Sequence, residues 1–131
     1  MVVVEGTIKG KARPRFYNGR AVTEDGTVNY ENWVRICYQE QDKRYLEGPI
    51  RANIFVYHKV PKSYSKNKLQ AIRQGLEYPQ KTPDVDNIAK IVLDSLNKIA
   101  YEDDKQVIEL TVIKRFTEEL ERVEFELEVI R

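Results

Sequence analysis

Within the last ten residues, Arg122–Arg131, Val123, Phe125, Leu127 and Val129 fall on one side and Glu124, Glu126 and Glu128 on the other. A period of two fits a β-strand with one buried and one wet face. A chain carrying it must build a sheet and cover one side of it. Other strand-like segments are Val2–Lys9, ended by Gly10, Ile50–Lys59, and Gln106–Phe116, where Ile108, Leu110 and Val112 alternate. Thr117–Glu121 is short enough to join the last two strands as a hairpin. The cover comes from helices. Asp84–Ile99 has an apolar stripe of Val85, Ile88, Val92, Leu96 and Ile99, with Asp86, Lys90, Asp94 and Asn97 on another face. Asn29–Gln41 places Tyr30, Trp33, Val34 and Cys37 at helical spacing. A basic helix runs from an N-cap at Ser63 to about Gln74, with Gly75 near its end. Residues from Lys11 to about 29, with Asn18-Gly19 and Asp25-Gly26, read as loop, as does Glu77–Thr82 around Pro79. The expectation is an α/β (α+β) fold: one compact domain with a mixed sheet, a C-terminal antiparallel hairpin, and helices packed on the sheet.

At 131 residues the chain has room for one core and not two. No apolar run approaches the roughly 20 residues needed to span a bilayer. The start, Met-Val-Val-Val-Glu5, has no basic n-region, and the lone Cys37 makes no internal disulfide, so a cytoplasmic setting is expected. The net charge of +1 hides an asymmetry: residues 1–81 carry 15 Lys+Arg against 8 Asp+Glu, and residues 82–131 carry 7 against 13. Either the halves neutralise each other, or the basic part holds a polyanion while carboxylates in the acidic part hold cations.

The acidic part is patterned. Pro83 disfavours helix at Thr82, so Asp84 and Asp86 sit where the next helix begins. One aspartate there is an ordinary cap on the positive end of the helix dipole. Two, with Asn87 beside them, repel each other in a way that a hard divalent cation such as Mg²⁺ relieves. Such an ion activates water and stabilises a leaving oxygen. Lys90 lies one turn on, either as an ion-pair partner or beside a phosphate in the transition state. Asp94 continues that face, in a supporting role with Lys90 or a basic neighbour. Glu102-Asp103-Asp104 is a solvated turn unless the loop folds back to the aspartate pair and completes a three-acid site.

The basic partners are Lys11, Arg13 and Arg15 around Pro14 and Phe16, and Lys59, Lys62, Lys66 and Lys68 near Tyr57 and Tyr64. They are a solubilising surface or phosphate contacts with aromatics for base stacking. His58 reads as a strand residue and Cys37 as core.

Taken together, Pro83-Asp-Val-Asp-Asn87, Lys90, Leu93-Asp-Ser-Leu-Asn97 and Tyr101-Glu-Asp-Asp-Lys-Gln-Val107 resemble the RusA-type Holliday junction resolvases, as do Gly10-Lys-Ala-Arg-Pro-Arg15 and Pro61-Lys-Ser-Tyr-Ser-Lys66. The resemblance spans nearly the whole chain, so residues 1–131 are expected to be a single RusA-like endonuclease domain. It implies a homodimeric endodeoxyribonuclease, often of phages and prophages, that resolves four-way junction DNA by paired symmetric nicks in recombination and repair. It implies Asp84, Asp86 and Asp104 as metal ligands for Mg²⁺ (Mn²⁺ substituting), with Asp103 the less favoured neighbour, and Lys90 as the essential lysine. Lys11, Arg13, Arg15, Lys62, Lys66 and Lys68 are then the DNA-binding residues. No organic cofactor and no membrane partner are implied. The alternative is a branched-DNA-binding phage accessory protein without catalysis.

Overall fold

The computed structural model describes residues 1–10, 15–17, 20–22 and 25–131, with side chains for residues 1–10 and 28–131. Its elements are β1 (Val2–Glu5), β2 (Arg15–Tyr17), β3 (Arg20–Val22), α1 (Asp25–Gln41), β4 (Ile50–Lys59), α2 (Lys66–Arg73), α3 (Val85–Ser95), a 3-10 turn (Asp104–Gln106), β5 (Val107–Thr117) and β6 (Arg122–Val129). The expected single α+β architecture with a mixed sheet is what forms. No described helix is long and apolar enough to cross a membrane.

The main sheet has the order β1-β6-β4-β5, and β2 and β3 form a separate antiparallel pair. β4 lies antiparallel to β6 and parallel to β5. The two C-terminal strands therefore run antiparallel to each other, as expected, but they are not hydrogen-bonded neighbours in a hairpin. β4 separates them, and residues 118–121 step across its end. The physical reason lies in β4: Ile50, Ala52, Ile54, Val56 and His58 are all buried, and a strand that apolar belongs in the middle of the sheet.

The helices cover the side of the sheet that carries these residues. Val2, Val4, Val123, Phe125 and Leu127 join Ala52, Ile54 and Val56 beneath Val34, Tyr38, Ile88, Ile91 and Val92. Tyr38 stacks on Phe125 at 6.3 Å between ring centroids. α1 packs on β1 and α3, and α3 also reaches β5. The stripe predicted for α3 is buried at Ile88, Val92 and Leu96, but Val85 is 45% exposed and the helix ends at Ser95.

Three other boundaries move. α1 begins at Asp25 rather than Asn29, because Asp25-Gly26 opens the helix instead of turning the chain. β1 stops at Glu5, where Gly6 takes a φ of 122°. α2 is capped by Ser65, whose hydroxyl accepts from the Lys68 amide at 3.1 Å, and not by Ser63. In β5, Leu110 shares a face with Ala52 and Ile54 through the parallel register, and Ile108 falls at the register shift opposite Ile50 and Arg51, yet they stay 46% and 63% exposed. They lie at the sheet margin, beyond the cover that the helices provide.

Candidate active site

The N-terminal corner of α3 is assembled from four segments. Pro83 ends the preceding loop, and Asp84 takes the N-cap position with extended backbone (φ −68°, ψ 156°), its carbonyl accepting the first helical bond from Ile88 at 3.0 Å. Its side chain, however, makes no capping hydrogen bond. A capping aspartate normally accepts from the second or third amide of the helix. Among the described residues Asp84 leaves that capping capacity unused. Asp86 follows in the first turn, exposed, and Lys90 stands exposed one turn further on.

Two features lock this corner. Lys114, from β5, donates its ammonium to the Pro83 carbonyl at 3.0 Å and to the Lys81 carbonyl. Burial lowers the Lys114 pKa, and the nearby Asp84 carboxylate opposes that shift. Gly10 packs so closely that a Cβ there would meet Pro83 Cβ at 2.7 Å and Asn87 Cβ at 3.0 Å. The basic segment that begins at Lys11 thus leaves directly from the Asp84–Asp86 corner. Lys11 and Arg13 lie outside the described residues. Arg15 has its backbone in β2, and its side chain is outside them too.

The second acidic group stands at the other end of α3. The Asp104 amide donates to the Asn97 side chain at 2.7 Å, and the buried Tyr101 hydroxyl donates to the Leu93 carbonyl at 2.7 Å. These bonds hold the Tyr101–Lys105 loop against the C-terminal turn. The Asp104 pKa is pushed up to about 6, first by burial, then by the hydrogen bond and charge of Asp94. Asp94 thus meets Asp104. Asp103 is occupied differently: its carboxylate accepts from the Lys105 amide at 2.9 Å, and its own amide donates to the Gln106 side chain at 3.1 Å, a capping box for the turn.

Asp84 and Asp86 therefore both stand at the start of α3, and Asp104 is brought to Asp94. Eight residues separate Asp86 from Asp94 on one helix, about 12 Å of rise. Among the described residues no cluster of three or more His, Cys, Asp or Glu side chains forms within one chain. The donors that are present, carboxylate oxygens without a compensating cap, suit a hard divalent cation.

The second basic group gathers at the same end of the molecule as Asp84. β4 and β5 both terminate there, with Lys59 paired to Thr117, and Lys62, Lys66 and Lys68 are exposed beside that end. The aromatics are already partly engaged. Tyr64 carries the Lys68 ammonium 4.1 Å from its ring centroid and abuts Phe116 edge-on, and Tyr57 carries Arg122 at 4.3 Å. His58 is a strand residue, 1% exposed, its pKa lowered by burial and then by Lys114. Cys37 is buried, and burial raises its thiol pKa.

Lys114 and Asn97 have the clearest structural roles without having been assigned one from sequence. Lys114 does carry a sequence signal: it is the single charge in the run Ile108, Leu110, Val112, Lys114, Phe116 on one face of β5.

The family described as endodeoxyribonuclease RusA matches residues 5–128. An uncharacterised protein of Bacillus subtilis strain 168, YqaN, is 35% identical over 120 residues, covering 88% of this chain and 84% of that protein. The family match takes in α3, the Tyr101–Lys105 loop and every strand of the main sheet except the first three residues of β1 and the last of β6. The chain belongs to the RusA endodeoxyribonuclease family.

Proposed function

We propose that this protein is a homodimeric, divalent-metal-dependent endodeoxyribonuclease that resolves four-way DNA junctions by paired, symmetric nicks during recombination and repair. The observation that carries the reading is the Asp84 carboxylate, placed at a helix N-terminus yet capping nothing, with Asp86 exposed beside it. Asp84 and Asp86 hold Mg²⁺ or Mn²⁺ together with Asp104. The bound ion supplies an activated water and charge stabilisation for phosphodiester hydrolysis. Lys90 faces the scissile phosphate and offsets the charge that develops on it. Lys62, Lys66 and Lys68, with Lys11, Arg13 and Arg15, grip the arms through phosphate contacts.

The separation of Asp104 from Asp84 along α3 gives the dimer a chemical purpose. Each site takes Asp84 and Asp86 from one copy and Asp104 from the other. Asp104 is favoured over Asp103 because the Asp103 carboxylate is committed to its own turn. A two-fold protein also matches a substrate whose two cleaved strands are equivalent.

The test is a synthetic four-way junction incubated with Mg²⁺. The expected products carry 5′-phosphate and 3′-hydroxyl ends that a ligase seals, and Asp86→Asn abolishes them. Mixing Asp86→Asn with Asp104→Asn subunits reconstitutes one intact site per heterodimer and restores single nicks. Junction binding without cleavage in either metal would instead identify a binding protein.

A further inference from the structure

The two margins of the sheet are covered by different means. On β1, the Gln41 side chain takes both polar groups of Val3: its carbonyl accepts from the Val3 amide at 2.7 Å and its amide donates to the Val3 carbonyl at 2.8 Å. On β5, the chain between α2 and α3 crosses the C-terminal half of the strand. Consecutive strand residues point to opposite faces. Lys114 holds the Lys81 and Pro83 carbonyls, and the next residue, Arg115, lies with its guanidinium 5.1 Å from the Tyr78 ring centroid. The loop is thus fixed on both sides of β5, and it ends at Asp84.

Two side chains of this loop are presented against the usual rule. α2 closes with Gly75 at φ 75°, where the Gly75 amide donates to the Ile72 carbonyl at 3.0 Å and the Leu76 amide to the Ala71 carbonyl at 2.9 Å. In this closure the residue after the glycine frequently packs back on the last turn of the helix. Leu76 instead stays 69% exposed, a value that no other large hydrophobic side chain among the described residues reaches. Tyr78 is 50% exposed, while Glu77 between them is half-buried and Pro79 is buried. A surface loop ordinarily shows its charge and hides its apolar groups. Here the carboxylate is the more withdrawn group. The apolar pair stands among exposed cations: Lys66 and Lys68 in α2, Lys81 in the loop, and Arg115 against the Tyr78 ring.

We infer that Leu76 and Tyr78 form a wedge that enters the branch point of the DNA junction, with Tyr78 stacked on a base that has lost its partner and Leu76 packed beside it. The inference rests on the reading of this protein as a junction nuclease, and it assigns the residues that tell branched from linear DNA. A base offers its face only where the stack is interrupted. Exposing one costs unstacking and unpairing, and costs least where pairing is already broken, as at the point where strands exchange. An aromatic side chain takes such a base whatever its identity, because every base has a π-face. The Arg115 guanidinium steadies the Tyr78 ring by a cation–π contact, and half of the Tyr78 surface remains open to a base. The withdrawal of Glu77 keeps a negative charge away from the phosphates that flank that base.

Binding read separately from cleavage tests it, on the full chain with Ca²⁺ in place of Mg²⁺. The probes are a synthetic four-way junction with 2-aminopurine at the branch point and a linear duplex of the same arm sequence. Wild type is expected to change the 2-aminopurine emission. Tyr78→Ala is expected to abolish that change and to weaken junction binding by about 10-fold, within the range of one base–aromatic stack, with duplex binding unchanged. Tyr78→Phe, which keeps the ring, retains both. Leu76→Ala weakens junction binding in the same direction. All three variants keep the wild-type circular dichroism spectrum and sedimentation, since both side chains are exposed. Equal loss on junction and duplex, an emission signal indifferent to Tyr78→Ala, or an altered oligomeric state that marks these residues as a contact between copies overturns the wedge. A Tyr78→Ala protein that cuts junctions in Mg²⁺ and selects them over duplex as wild type does leaves the nuclease reading standing and removes the wedge. Tyr78-dependent selection of junctions by a protein that cuts nothing in Mg²⁺ or Mn²⁺ does the reverse.

Discussion

Lys114 donates to the Pro83 carbonyl at 3.0 Å, one residue before the aspartate that opens α3. A strand on the sheet thereby fixes the entry of a helix that lies over it, and with it the direction in which Asp84 presents its carboxylate.

Replacing Lys114 with Met should loosen that corner without touching a metal ligand. Partners that orient metal ligands typically contribute about 10–100-fold to metal affinity. Mn²⁺ titration of the variant by electron paramagnetic resonance is expected to show weakening in that range, with Lys114→Arg retaining part of the affinity. Unchanged affinity in Lys114→Met would remove the positioning role.

Gly10→Ala places a methyl within 2.7 Å of Pro83 Cβ. Overpacking of this kind costs about 1–3 kcal/mol. The melting temperature is expected to drop accordingly, and junction cleavage to fall further than stability alone accounts for, because the basic segment starts at this contact. A variant with wild-type melting and cleavage would show that the corner yields freely.

Asp104 titrates near 6 in the fold against an ordinary 3.8. The folded state thus holds this proton more tightly than the unfolded chain does. Its contribution to stability is fully present below about pH 4 and is lost as pH rises to about 6 and beyond. Without metal, wild type is expected to lose melting temperature relative to Asp104→Asn across that interval. Added Mg²⁺, by binding the ionised carboxylate, should reduce the difference at neutral pH. Parallel pH profiles for the two proteins would contradict the shift.

Lys62, Lys66 and Lys68 act as phosphate contacts in the proposed reading. Each change to Ala is expected to lower the slope of log binding constant against log salt by about 1 and to weaken junctions of different sequence equally. Fluorescence anisotropy across a salt series measures this. A sequence-dependent loss would mark the residue as a base reader instead.

Much of this architecture is legible in the order of the residues alone. Strict periodicity marks β6, β4 and α3, because burial on one face leaves a pattern that no local interaction imitates. The residues at the α3 corner are legible as well, since Pro83 fixes where the helix can begin. The partner of β6 is not. Short connections favour hairpins, and nothing within residues 117–121 reveals that β4, some sixty residues earlier, is apolar enough to occupy the position between β5 and β6. The place of Asp104 is equally hidden. Nine residues after Ser95 could have reached back along the helix, and what prevents it is a pair of bonds to the helix end, from Tyr101 to the Leu93 carbonyl and from the Asp104 amide to Asn97. Asp25-Gly26 misleads for a local reason: the same dipeptide suits a turn and a helix entry, and only the packing of α1 decides between them.

The Gln41 amide that occupies Val3 has a consequence for how large an assembly can grow. A subunit with two sticky borders would add neighbours without limit and become a fibre. A sheet sealed along β1 takes no further strand at that border.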